Sequence, residues 1–533
     1  MKAATAAAMF LGVISCVPLD TAPPAKETDL TYWKNQSAAV ETVNSCYQHI
    51  ATPSQLLFME GATDNAYVRA SSGQTQSIGN GSYDTADSYV ETYWKDRYAG
   101  IKMCNRLTDN IHLVPGLTDE LRNRYISEVK VLRALQYHEL LVRFGDLPYY
   151  THVLSVDESK TIIRTPRATV VENILAELDD VIENEYLPRS YGSADVGRVT
   201  HWAAMALKAR ILLNEGRYSE LKSVTETIIS QSSHSLFPDF AGLFTVNHEN
   251  NSEIILDVQY GVNLRENNGN YIFLPPSLAG VANISPTNEL VESYIMLNGK
   301  GIKESGSGYA QADPWKDRDP RLELTICVDG GHYVKADGSK HVVVTDPNSG
   351  SNNTDRFQPG TAVITTSTGY YFKKFYDNQY ITAQKSGLNY PIIRFADVLL
   401  MHAEACAETD ALTSTEWDRT IKKLRVRAGF TDAAATNFPA GKSKTELIEI
   451  VRNERRCELA FEGLRLKDIF RWETAGTVMN GKIHGMYTGG LVGTDDGYYI
   501  VETRQFDAAK HYLWPVPQTE RDNNNNLSQN DKW

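Results

Sequence analysis

The sequence predicts a mostly α-helical fold: a scaffold of repeated helical hairpins, interrupted by a loop-rich insertion with short β-strands. Long segments with the helical period and few Gly or Pro lie at both ends of the chain. Residues 231–390 are instead dense in Gly, Asn, Asp, Ser and Pro and contain short β-like runs at 253–259 and 341–345. The helices after residue 391 are therefore expected to complete the scaffold that the earlier helices begin.

Five segments of the first part read as helices, namely 37–50, 88–110, 121–144, 169–185 and 200–215. The third stops at Gly145 with Pro148 beyond it, and the fifth is closed by Gly216, which are common helix-ending residues. Small residues near helical spacing, followed by a glycine turn and a second helix, are similar to a tetratricopeptide hairpin. The 34-residue period of such repeats is not regular in this chain, so the spacing alone does not establish the repeat.

Residues 55–87 interrupt these helices with a stretch rich in Gly, Ser, Asn and Tyr. The stretch is too long and polar for a simple connector, and long structured loops usually carry function. We therefore expect an early binding loop there.

Residues 444–472 have no Pro, one late Gly and mostly good helix formers, so they are predicted to form one helix of about six turns. Ile448, Val451, Leu459 and Leu466 share one stripe on a 3.6-residue period. Charged residues interrupt that stripe. A charge on a packed helix face must be paired, since desolvating it alone costs several kcal/mol.

The charges in question are Arg455, Glu458 and Glu462, spaced three and four residues apart, which is salt-bridging distance on one helix. Two carboxylates could serve as the acid and base of a glycosidase. The neighbouring arginines should keep both carboxylates ionised, which does not suit a proton donor. We therefore favour a structural ion network over a catalytic pair.

Three long segments resemble hallmarks of the SusD/RagB family, the surface glycan-binding lipoproteins of Bacteroidota outer membranes. They are NERRCELAFEGLRLKDIFRW (453–472), YPIIRFADVLLMHAEACA (390–407) and YLWPVPQTERDNNNNLSQN (512–530). Shorter similarities lie at 128–148, 318–326 and 368–375. The resemblance implies four tetratricopeptide-like hairpins that support a smaller irregular part, and a SusC-like TonB-dependent transporter as partner. It implies no ligand residue, because ligand contacts in the family lie in variable loops.

The N-terminus is predicted to direct export. Lys2 precedes an apolar run, 3–14, that is too short to span a bilayer but typical of a signal peptide, here 1–15. Ser15-Cys16 resembles a lipoprotein cleavage site, and 16–30 reads as a tether that begins like mature members of the family. Cys16 is therefore the predicted lipid anchor to the outer membrane, with the protein facing the cell exterior. The alternative is an ordinary cysteine after a plain signal peptide.

Composition and motifs exclude several functions. The net charge of −13 argues against nucleic acid, whose phosphates attract Lys and Arg. The remaining cysteines are scattered without a C-x-x-C pair, so neither a disulfide framework nor a structural zinc site is expected. The chain contains no G-x-S-x-G, H-E-x-x-H, Walker A or dinucleotide-binding motif. No enzyme activity, cofactor or metal is predicted.

Aromatic residues are the most informative functional feature, with 28 Tyr, 16 Phe and 8 Trp. Exposed rings flanked by polar groups suit the flat C–H faces and hydroxyls of sugars. The candidate ligand residues lie in polar stretches: Asp64, Asn65, Tyr67, Arg69, Tyr83, Tyr89, Tyr271, Tyr309 and Trp315. We expect 55–87 and 271–315 to converge on one face. For any single ring, core packing is the alternative.

The predicted organisation is a helical scaffold over 31–230, the insertion over 231–390 and returning helices over 391–533. The predicted function is capture of an oligosaccharide and its delivery to the transporter, without catalysis. Two alternatives stay open: a surface glycoside hydrolase with paired carboxylates, and a helical-repeat scaffold that binds only another protein.

Overall fold

The structure is a computed structural model that describes residues 32–359, 364–379, 385–491 and 493–533. The predicted signal peptide, the tether and the Cys16 anchor lie outside the described residues.

Eleven helices of seven residues or more form the scaffold of the described chain. In chain order they are α1 Gln36–Tyr47, α2 Pro53–Glu60, α3 Ser88–Asn110, α4 Asp119–Phe144, α5 Arg167–Glu183, α6 His201–Asn214, α7 Tyr218–Gln231, α8 Phe395–Glu408, α9 Ile421–Ala428, α10 Lys444–Glu458 and α11 Arg465–Arg471. Shorter helices are Gln76–Asn80, Val156–Ser159, Gly269–Phe273, Asn288–Ser293, Arg321–Thr325, Ser414–Arg419, Ala433–Thr436, Ala475–Val478 and Gln518–Asn523. Within the described residues, no helix combines the length and the apolar character needed to cross a membrane.

Local sequence explains where the long helices begin and end. The Asp87 carboxylate accepts hydrogen bonds from the first backbone N–H groups of α3, and the Thr118 hydroxyl accepts from Leu121 N at the start of α4. α4 ends at Gly145, whose φ of 70° favours glycine. These boundaries match the predicted ones to within two or three residues.

The helices pack as a continuous stack. Each of α3 to α7 packs against the next one along the chain, and α1 packs on α3 and α4. α7 packs on α6 on one side and on α8 on the other, although α8 follows the insertion in sequence. α8 in turn packs on α10. The predicted mostly helical, tetratricopeptide-like fold with a loop-rich insertion is confirmed.

The insertion is held together by small antiparallel sheets. β2 (Ile254–Val258) pairs with β8 (Tyr390–Arg394), β4 (Ile326–Cys327) with β7 (Tyr371–Phe372), and β5 (His332–Val334) with β6 (Lys340–Val342). A second hydrophobic core lies under these strands and includes Phe273, Tyr333 and Phe372. The insertion is thus a packed unit of its own on the helical stack.

The prediction that 55–87 forms a polar loop is wrong, because the stretch contains helices and a strand. The stretch contains the end of α2, the short helix Gln76–Asn80 and β1 (Ala66–Val68), which pairs with β3 (Ile284–Pro286) of the insertion. Most residues from 57 to 66 are buried. The Gly, Ser and Asn of this stretch serve tight turns at the junction between scaffold and insertion.

The prediction of one helix over 444–472 is also wrong. α10 ends at Glu458, and α11 begins only at Arg465. Phe461 and Gly463 lie between them with φ of 64° and 71°, in the left-handed region that ends helices. The buried Lys374 ammonium donates to the carbonyls of Glu458 and Ala460 at 3.2 and 3.0 Å, which satisfies carbonyl groups that the break frees.

A buried ion network surrounds this break. The Arg394 guanidinium, 1% exposed, contacts Glu253 and Glu458 at 2.7 Å each and Glu462 at 2.8 Å. Glu462 also accepts from Lys374 at 2.6 Å. The network therefore joins α10 and the following turn to β8 and to the insertion.

The partners within this network differ from those that the helical spacing suggested. Arg455 pairs with Asp397 of α8 at 2.5 Å and with Asp468 of α11 at 2.9 Å, and not with Glu458. Burial alone would raise the pKa of Glu458, but Arg427, Arg394 and Arg321 together hold that pKa below its usual range. The carboxylates are therefore ionised and serve to connect elements that are distant in sequence.

We predict that Glu462→Ala lowers the free energy of unfolding by about 3–5 kcal/mol, because it leaves the buried Arg394 and Lys374 without a shared counter-ion. Glu449→Ala, an exposed position on α10, is the matched control and should change stability by no more than about 0.5 kcal/mol. Urea unfolding followed by circular dichroism measures both. Equal stability of the two variants would show that the network does not hold the fold.

Candidate functional site

A surface cleft of about 230 Å³ lies where three parts of the chain meet. One side is the helix Asn288–Ser293 and another is the segment 297–317 of the insertion. The third is a hairpin of β9 (Gly481–Tyr487) and β11 (Tyr498–Arg504), flanked by β10 (Thr494–Asp495). The cleft is lined by both aromatic and polar side chains.

The segment 297–317 is closed at its base. Leu297 N donates to Asp317 O at 2.7 Å, and Asp319 N donates to Ile295 O at 2.8 Å. Within it, the Ser307 hydroxyl donates to Ile302 O at 3.0 Å. The segment is longer than an ordinary Ω-loop, of about 6–16 residues, but shares its paired ends and internal hydrogen bonds, and we call it the Ω-type loop. These bonds hold its tip residues in a defined position.

The hairpin is fastened to the opposite wall by one glutamate. Glu289, on the helix Asn288–Ser293, accepts from the backbone N–H of His484 at 3.0 Å and lies 2.7 Å from His484 Nδ1. The hydrogen bond with Glu289, together with Asp495, raises the pKa of His484 above its ordinary value. The protonated imidazole therefore strengthens the contact between hairpin and helix at mildly acidic pH.

Two tyrosines from different parts of the chain meet at a shared amide. The hydroxyls of Tyr309 and Tyr498 donate to Gln311 Oε1 at 3.0 and 2.9 Å. The Tyr498 ring also packs edge-on against Tyr487, which is 43% exposed, with ring centroids 5.4 Å apart. The result is a group of partly exposed rings whose phenol oxygens keep acceptor capacity.

Trp315 and Arg318 complete this lining from the end of the Ω-type loop. The Trp315 ring stands edge-on to the buried Tyr370 ring at 6.2 Å. The Arg318 guanidinium lies 5.7 Å from the centre of the Tyr309 ring and donates to the carbonyls of Val291 and Tyr294 at 2.6 and 2.9 Å. Arg318 therefore packs on the Tyr309 ring and at the same time binds the end of the helix Asn288–Ser293.

Two family models match the chain. The model described as "SusD family" matches residues 242–533, and the model described as "Starch-binding associating with outer membrane" matches residues 19–213. The first match alone spans more than half of the chain. The chain belongs to the SusD family.

Individual relatives agree with this assignment over most of their length. The chain is 27% identical to SusD-like protein P25 of Formosa agariphila, over 85% of this chain and 86% of that protein. It is 24% identical to the starch-binding protein SusD of Bacteroides thetaiotaomicron, over 78% of this chain and 74% of that protein. A crystal structure of a SusD-like carbohydrate binding protein from Bacteroides fragilis matches with a TM-score of 0.84 and 26% identity, covering 93% of this chain and all of that one, 100%.

The predicted resemblance to the SusD/RagB family is thus confirmed. Members of the SusD family are binding proteins, so the chain is a binding protein and not an enzyme. The association of the family with the outer membrane places the protein there in general terms.

The structure divides the predicted ligand residues of this SusD-family chain among three places. Tyr309 and Trp315 line the cleft. Tyr67, Arg69 and Tyr271 form a second, half-buried group around the β1–β3 pair, where the Arg69 guanidinium donates to Asn283 Oδ1 at 2.5 Å. Among the described residues, none from 55–87 lines the cleft, and this stretch instead meets the insertion at the β1–β3 pair.

The other four candidates lie in the scaffold, three of them buried and Tyr89 partly buried, against the expectation of exposed side chains. The Asp64 carboxylate, 2% exposed, binds Arg465 at 2.8 Å. Asn65 donates to Glu60 Oε2 at 2.9 Å and is 1% exposed.

Of the two aromatic members of this group, Tyr83 lies in the core and Tyr89 packs against it. Tyr83, 5% exposed, packs on Trp533 with ring centroids 4.8 Å apart. Tyr89 lies edge-on to Trp514 at 6.4 Å. Three of these side chains are buried and the Tyr89 ring is held against the core, so we assign all four to structural roles.

Several lining residues were missed by the sequence analysis, namely Gln311, Arg318, Tyr487 and Tyr498. The last two come from a hairpin whose sequence pattern was not recognised. GMYTGGLVGTDDGYYIVETR, 485–504, has two alternating runs around a turn rich in Gly and Asp, which is a hairpin signal. Its position beside the insertion depends on packing that the local sequence does not show.

The paired carboxylates considered for a hydrolase lie elsewhere. Glu458 and Glu462 are 0% and 7% exposed inside the ion network and do not line the cleft. The cleft has two carboxylates of its own, but Glu292 binds Lys303 at 2.7 Å, and Asp329 accepts from Thr345 N at 2.6 Å. Both are engaged with the protein, so the cleft offers an aromatic binding surface and not an acid–base pair.

We predict that Tyr83→Ala destabilises the protein by about 3–5 kcal/mol, because it removes a buried ring between His511 and Trp533. Tyr186→Ala, at a tyrosine that is 36% exposed, is the control and should change stability by no more than about 0.5 kcal/mol. Chemical denaturation gives both values. A Tyr83 variant as stable as the control would place that ring outside the core.

Proposed function

We propose that the protein captures an oligosaccharide in the cleft between the Ω-type loop and the β9–β11 hairpin and holds it without cleavage. The observation that carries the proposal is the group of partly exposed rings formed by Tyr309, Tyr498 and Trp315 around the Gln311 amide. Relatives named as a starch-binding protein and a carbohydrate binding protein support the same ligand class.

The chemistry of the lining fits a sugar better than an apolar ligand. Tyrosine and tryptophan rings offer flat faces to the C–H bonds of a pyranose, and their polar ends bind its hydroxyls. Each sugar hydroxyl exchanges water for a protein group at a gain of only about 0.5–1.5 kcal/mol. Binding therefore depends on several rings and polar groups acting together, and the affinity for one short oligosaccharide is modest.

Affinity electrophoresis against a series of polysaccharides, with protein lacking Cys16, would identify the ligand, and titration calorimetry would measure its affinity. Tyr309→Ala and Tyr498→Ala should each weaken binding by about 2- to 13-fold, the loss that about 0.5–1.5 kcal/mol of ring contact predicts. The melting temperature should stay nearly unchanged, since both rings are partly exposed.

Tyr186→Ala, in the scaffold, is the matched control and should bind as the wild type does. Unchanged affinity in both cleft variants would show that the ligand binds outside the cleft. The half-buried group of Tyr67, Arg69 and Tyr271 would then be the next place to test. Release of reducing sugar by the wild type would instead support the hydrolase alternative. If no glycan binds and another protein does, the scaffold alternative is correct.

We further propose that Cys16 carries a lipid anchor at the outer membrane, facing the cell exterior. The protein would then deliver its ligand to a SusC-like TonB-dependent transporter. Two arguments support this: the short apolar run before Cys16, and the family model described as associating with the outer membrane. A tethered binding protein keeps the captured sugar at a high effective concentration near a transporter mouth.

Purification from native membranes in mild detergent tests this arrangement. The wild type should fractionate with the outer membrane and co-purify with a large β-barrel protein, whereas Cys16→Ala should appear in the soluble fraction. A Cys16 variant that stays in the membrane would place the anchor elsewhere. Purification of the wild type alone under every mild condition would contradict the transporter partnership.

A further inference from the structure

A cluster of nitrogen, sulfur and oxygen donors lies on the helical stack, in elements that do not line the cleft. α8 carries His402 and Cys406 one turn apart, and the helix Ser414–Arg419 supplies Glu416. A ring nitrogen of His402, the Cys406 sulfur and a carboxylate oxygen of Glu416 all lie within 4.8 Å of one another. Glu226 of α7 reaches the same place, with its Oε2 3.8 Å from His402 Nε2.

The spacing of these donors is close to that of a tetrahedral metal site. Ligands bound to zinc at about 2.0–2.3 Å lie about 3.3–3.8 Å from one another. His402 Nε2 lies 3.1 Å from Glu416 Oε2 and 3.8 Å from Glu226 Oε2. Small side-chain rotations would therefore bring the donors onto one cation.

The other nitrogen of His402 has a partner that suits a metal ligand. Nδ1 lies 2.9 Å from the Thr225 hydroxyl, which donates to Leu221 O at 2.8 Å. When a cation replaces the hydrogen bond between Nε2 and Glu416, the hydroxyl can accept from Nδ1–H, and this tautomer leaves the Nε2 lone pair free for the metal. Metal-binding histidines commonly have such a support on the second ring nitrogen.

Burial divides the cluster into a dry base and an accessible mouth. His402 and Cys406 are each 0% exposed, whereas the Glu226 and Glu416 side chains are 43% and 20% exposed. A cation can therefore enter from the carboxylate side. A cysteine binds a metal as the thiolate, so binding at Cys406 would displace the thiol proton.

The charges of the cluster balance when a divalent cation is added. Arg419 donates to Glu226 at 2.8 Å and to Glu416 at 3.2 Å, which leaves the two carboxylates and the guanidinium with one net negative charge. Loss of the Cys406 proton adds a second negative charge, and a dication neutralises both. Arg419 is 33% exposed and can keep contact with the outer carboxylate oxygens.

We propose that His402, Cys406, Glu416 and Glu226 bind one transition-metal dication, with Zn²⁺ as the ion that this donor set fits best. Nitrogen, thiolate and carboxylate donors in four-coordinate geometry suit Zn²⁺, whereas Ca²⁺ and Mg²⁺ require oxygen ligands. The sequence did not indicate a structural zinc site, because its cysteines form no C-x-x-C pair. The site would cross-link α7, α8 and the helix Ser414–Arg419.

Full-length protein lacking Cys16 and stripped with EDTA should bind one equivalent of Zn²⁺ in calorimetry, with release of a proton to the buffer. Co²⁺ in place of Zn²⁺ should give the near-ultraviolet absorption of a thiolate–cobalt bond. Cys406→Ser should abolish that band and weaken Zn²⁺ binding by more than about 100-fold, since changes to supporting residues alone cost about 10- to 100-fold. Cys327→Ser, at a buried cysteine of the insertion, is the control and should keep both.

Glu416→Gln and Glu226→Gln alter the exposed side of the cluster, where misfolding is not expected, and each should weaken Zn²⁺ binding by at least about tenfold. The proposal is overturned if the stripped wild type binds neither Zn²⁺ nor Co²⁺ at micromolar concentration. It is equally overturned if Cys406→Ser keeps the thiolate–cobalt band, or if both glutamine variants bind as the wild type does.

Discussion

The contact of Arg394 with Glu253, Glu458 and Glu462 is the interaction on which the arrangement of the chain depends. These groups are buried ion-pair partners, so each is stable only while the others are in place. Arg394 ends β8 of the insertion, and α8 of the scaffold begins at the next residue. The network thus fixes the insertion on the helical stack at the point where the chain returns to it.

The same network reaches the cleft through Arg321. Its guanidinium contacts Glu458 at 2.9 Å and Asp319 at 2.8 Å, and Asp319 N closes the base of the Ω-type loop on Ile295 O. The position of the loop that carries Tyr309 is therefore set by a charge on α10. A hydrophobic contact of the same size would tolerate sliding, whereas hydrogen-bonded ion pairs fix distance and direction.

How far the sequence could predict the structure depends on the range of the interaction that shapes each part. Helices such as α3 carry their own apolar period and caps, and their bounds were predicted closely. The break after Glu458 was not predicted, because the Lys374 that supplies its carbonyl partners is more than 80 residues away in sequence. Asp64 read as a loop carboxylate for the same reason, since its partner Arg465 lies about 400 residues further on.

The residues of the candidate site also differ in whether local sequence or long-range packing places them. Tyr309 and Trp315 were identified because their Gly and Ser neighbours already indicate exposure, whereas Tyr498 enters the cleft only through the packing of the β9–β11 hairpin. The packing of the loop and the hairpin lowers the entropy lost on binding. The loop is closed at its base and the hairpin is fastened through Glu289, so both walls are ordered before a ligand arrives. Since an ordered wall loses little conformational entropy on binding, the weak contacts of a few sugar hydroxyls and rings can produce measurable affinity. The entropy that must still be lost is that of the flexible oligosaccharide, which several rings acting together can offset and a single ring cannot.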